Sequence, residues 1–130
     1  MLPQPMIAVH DVPASSRWYQ QLLGCESGHG GDEYEMIVND RGTLVLQLHR
    51  WEAHEHPFMG DPSKKPYGNG ALLWFESPAF DEAVARAQQM NAEIVDGPLF
   101  NLNAQHREIW VRDPDGYIVV IASPFGEASG

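Results

Sequence analysis

Arg107–Ser123, REIWVRDPDGYIVVIAS, joins two apolar runs through Asp113-Pro114-Asp115-Gly116. Proline at the second turn position holds φ at roughly −65°, and glycine closes the turn in the left-handed region. That chemistry predicts a type I turn with a one-residue bulge. The flanking runs are rich in β-branched and aromatic residues, so the stretch reads as a hairpin. With a three-residue loop, Asp113 pairs with Tyr117. Counting outward, Arg112 faces Ile118, Trp110 faces Val120 and Glu108 faces Ala122. Side chains alternate along a strand, so these residues share one face. Ile109, Val111, Val119 and Ile121 share the other. The aliphatic face reads as core and the mixed face as a cavity wall.

The rest of the chain bounds the setting for that hairpin. It has 130 residues, 43% of them hydrophobic, which suits one domain with a real core. We expect a domain over residues 1–125 and a frayed tail over 126–130. No apolar run approaches the roughly 18 residues of a membrane helix, so no membrane partner is expected. No secretory pattern stands at the N-terminus, and the single cysteine, Cys25, fits a reducing cytoplasm. The net charge is −10, from 18 acids against 8 bases. That argues against nucleic-acid binding, which needs basic patches. It serves solubility, and it would also draw in a cationic ligand.

Outward from the hairpin, the elements repeat. Met6–Val9 reads as a strand. Asp11 is a natural N-cap, and Arg17, Trp18, Leu22 and Leu23 follow at helical spacing up to Gly24. Tyr34–Val38 and Thr43–Trp51 read as strands around the turn Asn39–Gly42. GHGG (28–31) reads as a further turn. Glu52–Gly70, punctuated by Pro57, Gly60, Pro62 and Pro66, reads as a long loop. Ala71–Glu76 is then a strand. Ser77 and Pro78 open a second helix whose apolar stripe is Phe80, Val84, Ala87 and Met90. Glu93–Val95 is a strand, and the hairpin closes the chain. QQLLGCE (20–26) and AQQMNAE (87–93) are similar at a period of 67 residues. Element order and repetition together predict an α+β fold of two βαβββ modules, about 1–60 and 66–125, each a curled half-barrel sheet with a helix on its convex side.

Three segments then resemble the vicinal oxygen chelate superfamily, which includes glyoxalase I, extradiol dioxygenases and bleomycin-resistance proteins. They are DVPASSRWYQQLLG (11–24), the strand and helix of 68–92, and EIWVRDPDGYIVV (108–120), whose DPDG turn is the most specific. The resemblance implies two modules, a homodimer and a ligand cavity. It also implies metal-ligand positions, which map here to Gln4, Gln47, Leu72 (or Ala71 in a shifted register) and Val120. His, Glu or sometimes Gln occupies them in metal-dependent members. Leucine and valine cannot bind a metal, and neutral amides bind divalent cations poorly. The expectation is a metal-free cavity with no cofactor.

Strand parity supplies the other candidates for that cavity. Val45, His49 and Trp51 share the Gln47 face, Trp74 and Glu76 share the Leu72 face, and Trp110 lies on the Val120 face. The ligand-binding set is therefore Gln4, Gln47, His49, Trp51, Leu72, Trp74, Glu108, Trp110 and Val120. Tryptophan stacks on flat or cationic groups, and Glu76 or Glu108 inside the cavity would favour a cationic or donor ligand. His49 could act as a base, while His10, His29 and His106 carry no signal. Glu52, His54, Glu55 and His56 could recruit Zn²⁺, but their spacing matches no standard site. The leading expectation is a metal-free homodimer that sequesters a planar aromatic or peptide-like small molecule, as resemblance to the bleomycin-resistance branch implies. An antibiotic is one such ligand. The rival is a metal-dependent lyase, isomerase or dioxygenase with the metal on Gln4, Gln47, His49 and Glu108.

Overall fold

A computed structural model describes residues 1–52 and 55–126. It divides the chain into two compact units, Met1–Lys65 and Pro66–Gly130. The architecture is mixed α+β, with one four-stranded sheet and one helix in each unit.

In the first unit the elements run β1 (Met6–Val9), α1 (Val12–Leu23), β2 (Glu26–Ser27), β3 (Tyr34–Val38) and β4 (Leu44–Arg50). In the second they run β5 (Leu73–Glu76), α2 (Phe80–Gln89), β6 (Glu93–Asn101), β7 (His106–Arg112) and β8 (Ile118–Ala122). Both sheets have the same order, β1-β4-β3-β2 and β5-β8-β7-β6. In each, the first strand pairs parallel to the last, while the last three strands pair antiparallel. The expected βαβββ module therefore occurs twice.

The period of 67 has a structural basis at the helix ends. Gly24 closes α1 at φ 64, and Asn91, 67 residues on, takes φ 52 after α2. Cys25 N–H donates to Gln20 O at 3.1 Å, and Ala92 N–H donates to Ala87 O at 3.0 Å. Glycine and asparagine are the residues that tolerate this left-handed stop. At the other end of α1, Asp11 accepts from Ala14 N–H at 3.0 Å, the N-cap its position predicted.

The hairpin has the register read from its turn. Asp113 N–H donates to Tyr117 O at 2.8 Å, Gly116 N–H donates to Asp113 O at 3.0 Å, and Gly116 takes φ 99. Trp110 pairs with Val120, and Glu108 with Ala122. Ile109, Val111, Val119 and Ile121 are buried on one face. Arg107, on that same side of β7, lies over the Phe80 ring and pairs with Asp81 of α2. The aliphatic face is therefore the helix face. His106, Glu108 and Trp110 belong to the opposite face, turned away from the helix.

Several boundaries differ from expectation. α2 begins at Phe80, because Ser77 Oγ accepts from Ala79 N–H and caps a turn ahead of the helix. Its buried positions are Phe80, Ala83 and Ala87. β5 begins at Leu73, so Ala71 and Leu72 precede it, and β4 ends at Arg50, so Trp51 follows it. β6 continues from Glu93 to Asn101 through two register shifts, the second of which spans the cis Gly97–Pro98 bond. An edge strand tolerates proline there because its outer N–H positions need no partner. A short strand, Glu26–Ser27, pairs with β3 just ahead of the glycine-rich turn. A 3₁₀ turn, Pro57–Met59, lies within the long loop. His54 and residues 127–130 of the expected tail lie outside the described residues.

Candidate functional site

Alternation along β7 places His106, Glu108 and Trp110 on the face of the second sheet turned away from the helix. Pairing with β8 and β5 adds Val120 and Trp74 to that face. The Trp74 and Trp110 rings meet edge to face, with centroids 5.9 Å apart and an interplanar angle of 85°. His106 lies 6.0 Å from Trp74 at 43°. Trp74 keeps 44% of its surface exposed, whereas Glu108, beneath these rings, keeps 3%.

Glu108 is the polar centre of the cluster. One carboxylate oxygen accepts from Trp110 Nε1 at 2.9 Å. The other accepts from Asn101 Nδ2 at 2.9 Å and from His106 Nε2 at 2.6 Å. Burial works to raise its pKa. The hydrogen bonds from Trp110, Asn101 and His106 outweigh burial and hold the carboxyl below its ordinary value. The carboxylate is thus ionised and accepts from three protein donors. The expectation that it would itself take a cationic or donor ligand changes accordingly. Glu76, the other acid on this face, is exposed.

The first unit has its own such face. Ser16 of α1 donates to Glu35, so Glu35, Ile37, Leu46 and Leu48 face the helix. Tyr34, Met36, Gln47 and His49 face away from it. A bulge sets Ile37 against Leu46 and Val38 against Leu44, so it is Leu44 that falls out of step with the buried Leu46 and Leu48. The Tyr34 hydroxyl donates to the Gln47 side-chain oxygen, and Gln47 Nε2 donates to the Gln4 carbonyl at 2.9 Å. Burial, and then the neighbouring Glu35 charge, raise the Tyr34 phenol, which keeps it a donor. His49 lies 6.3 Å from Tyr34 and 4.7 Å from His56, ring to ring, and its Nδ1 is 2.7 Å from the Arg50 carbonyl. Trp51, just after β4, donates its N–H to Val9 O at 3.1 Å, and its ring lies 6.2 Å from His10. Glu52, Glu55 and His56 bring one ligand atom each to within 4.8 Å of one another.

The nine candidates thus separate. Gln4, Gln47 and His49 gather in the first unit, with Trp51 beyond the strand. Trp74, Glu108, Trp110 and Val120 gather in the second, with Leu72 exposed just before β5. The family's metal does not fit the four inherited positions. Gln47 uses both ends of its amide within the protein, Gln4 is tied through its backbone, and Leu72 and Val120 have no donor atom. Sequence reasoning missed His106. Its signal was the period-two spacing to Glu108 and Trp110 on a strand whose face was already assigned.

Comparison with known proteins agrees with this architecture. A family model described as the Glyoxalase/Bleomycin resistance protein/Dioxygenase superfamily matches residues 2–121. No curated protein matches the chain. Among solved structures, a protein of unknown function from Agrobacterium tumefaciens str. C58 superposes with a TM-score of 0.76 at 20% identity, covering 96% of this chain and 94% of that one. TioX from Micromonospora sp. ML1 superposes with a TM-score of 0.68 at 16% identity, covering 95% and 98%. A glyoxalase/dioxygenase from Nostoc punctiforme gives a TM-score of 0.65 at 23% identity, covering 92% and 88%. These likenesses show the fold. Among the described residues, no helix is long and apolar enough to cross a membrane.

Proposed function

The chain belongs to the glyoxalase/bleomycin resistance protein/dioxygenase superfamily, and on that premise we propose that it binds a planar aromatic small molecule without a metal and without turnover. The observation that carries this reading is the Trp74–Trp110 pair. Two indoles meet edge to face, and the outer one keeps 44% of its surface exposed on the side of a sheet turned away from its helix. Exposed tryptophan beside a second, pinned tryptophan is a stacking surface prepared before the ligand arrives. Trp110 is pinned because its indole nitrogen is bonded to Glu108. Sequestration suits such a surface, since holding a compound requires no reacting group. An antibiotic with a flat aromatic part is one candidate ligand. On this reading the protein acts in the cytoplasm as a homodimer.

The rival enzyme reading needs a metal, and the donor set at the inherited positions argues against it. Gln47 and Glu108 would each have to break hydrogen bonds within the protein to reach an ion.

Calorimetric titration with 2-methoxynaphthalene, a flat apolar probe, tests the proposal. Each Trp→Ala change, at Trp74 or at Trp110, should weaken binding about tenfold, the scale of one aromatic stack. Unchanged affinity in both variants overturns it. One tightly held metal ion per chain after dialysis against a mild chelator also overturns it.

A further inference from the structure

We propose that His106 is the polar anchor of this surface, its Nδ1 accepting a hydrogen bond from a hydroxyl or ring N–H of the bound aromatic compound. The proposal rests on the aromatic-surface reading above and narrows its ligand class to planar aromatics that carry a donor.

The argument starts from Glu108. It is 3% exposed and accepts from Asn101, His106 and Trp110. An ionised carboxylate can only accept, so the His106 nitrogen facing it, Nε2, carries the proton. In the neutral imidazole the lone pair then lies on Nδ1, because the bond made by one ring nitrogen sets the role of the other. Among the described residues, no protein group bonds to Nδ1, and Nδ1 is not among the polar atoms sealed from solvent without a partner. The ring carrying this lone pair lies 6.0 Å from the exposed Trp74 ring. A flat compound stacked on Trp74 therefore presents its edge substituents toward an acceptor.

The rest of the cluster explains why the acceptor stays in place. A buried carboxylate is costly unless every oxygen is satisfied. Here three donors satisfy it, and one of them is the imidazole itself. Glu108 is thus a positioning residue, which fixes both the tautomer of His106 and the orientation of Trp110. A core that needed only packing would place apolar side chains at 106 and 108, as the helix face does at Ile109 and Val111.

The test is calorimetric titration of the full chain with 2-naphthol and 2-methoxynaphthalene, which share a ring system and differ by a methyl group on the donor oxygen. We expect 2-naphthol to bind about tenfold more tightly, the scale of one added hydrogen bond in a desolvated site. His106→Phe should bring 2-naphthol down to the affinity of the ether. Equal binding of the two compounds by the unaltered protein overturns the anchor and leaves the aromatic surface standing. That comparison needs no variant, so it decides the matter even if His106→Phe does not fold. If neither compound binds, or if neither Trp74→Ala nor Trp110→Ala weakens binding of either, the aromatic surface itself is overturned and the anchor with it.

Discussion

Trp110 donates its indole Nε1 to the carboxylate of Glu108, two residues earlier on the same face of β7, at 2.9 Å. The bond turns the indole along the strand, so that it meets Trp74 edge to face. The two tryptophans therefore have different roles. One is held by a buried charge, and the other is half-exposed.

That difference predicts unequal stability costs. Trp110→Phe keeps an aromatic ring but removes the donor, leaving one Glu108 oxygen without its partner. The expected cost is about 1–3 kcal/mol in urea unfolding. Trp74→Phe removes no bond to Glu108 and alters a side chain that is largely outside the core, so it should cost under about 1 kcal/mol. Equal costs would mean that the indole bond to Glu108 carries no weight.

A second prediction concerns acid. Glu35 and Glu108 both titrate below the ordinary carboxylate value in the folded protein. For Glu35, burial raises the pKa, but donation from Gly30 N–H, Ser27 Oγ, Ser16 Oγ and Met36 N–H outweighs it. A depressed folded pKa contributes stability that is fully present above the unfolded value, about 4.3 for glutamate. That stability is lost as pH falls through the folded pKa. The melting temperature should thus hold from about pH 7 to 5 and fall steeply below it. Glu35→Gln should lower the melting temperature at neutral pH and flatten the acid slope. A slope identical to that of the unaltered protein would show that Glu35 is not the group being titrated.

Much of the fold was legible because short-range chemistry decided it. Asp11, Gly24 and Asp113–Gly116 act on the backbone within four residues of themselves, so the sequence alone places them. The face of β7 was legible because alternation needs only one fixed point, which the turn supplied. The extent of β6 was not. Its Gly97-Pro98 pair reads as a break, and only pairing with β7 on both sides continues the strand. The bulge opposite Val38 was not legible for a related reason: it is set by the partner strand. At the site, three of the tryptophans were named, and Trp51 follows the last residue of β4 with its N–H still bonded to Val9 O. His106 was passed over because a histidine has no fixed role until the atom facing each nitrogen is known.

The two hairpin turns use one device, and this yields a third prediction. Asp113 Oδ1 accepts from Asp115 N–H at 2.8 Å and Tyr117 N–H at 2.9 Å. In the first unit, Asn39 Oδ1 accepts from Arg41 N–H and Thr43 N–H, both at 3.0 Å. An amide oxygen therefore serves as well as a carboxylate. Asp113→Asn should cost under about 0.5 kcal/mol, and Asp113→Ala, which leaves both N–H groups without their acceptor, about 1–3 kcal/mol. If asparagine costs as much as alanine, the charge rather than the acceptor holds the turn.

The last prediction concerns the closest backbone approach in the second sheet. Gly97 takes φ 87, and a Cβ placed there would lie 2.6 Å from the carbonyl oxygen of Glu108 and 3.3 Å from the Cα of Ile109. Real Cβ atoms do not come so near a backbone atom, so any larger residue must push β7 away at the point where Glu108 organises the cluster. Gly116 offers the control. It takes φ 99, and a Cβ there would meet nothing within 4 Å. Gly116→Ala therefore incurs only the backbone cost of positive φ, about 1–2 kcal/mol. Gly97→Ala incurs a comparable cost and the clash as well, and should exceed the control by about 2 kcal/mol in urea unfolding. Because the clash falls on Glu108, Gly97→Ala should also change the near-ultraviolet circular dichroism of the Trp74–Trp110 pair, while Gly116→Ala should leave it as it is. Equal unfolding costs and unchanged spectra in both variants would show that β6 shifts outward freely at Gly97, and that the cluster does not depend on that contact.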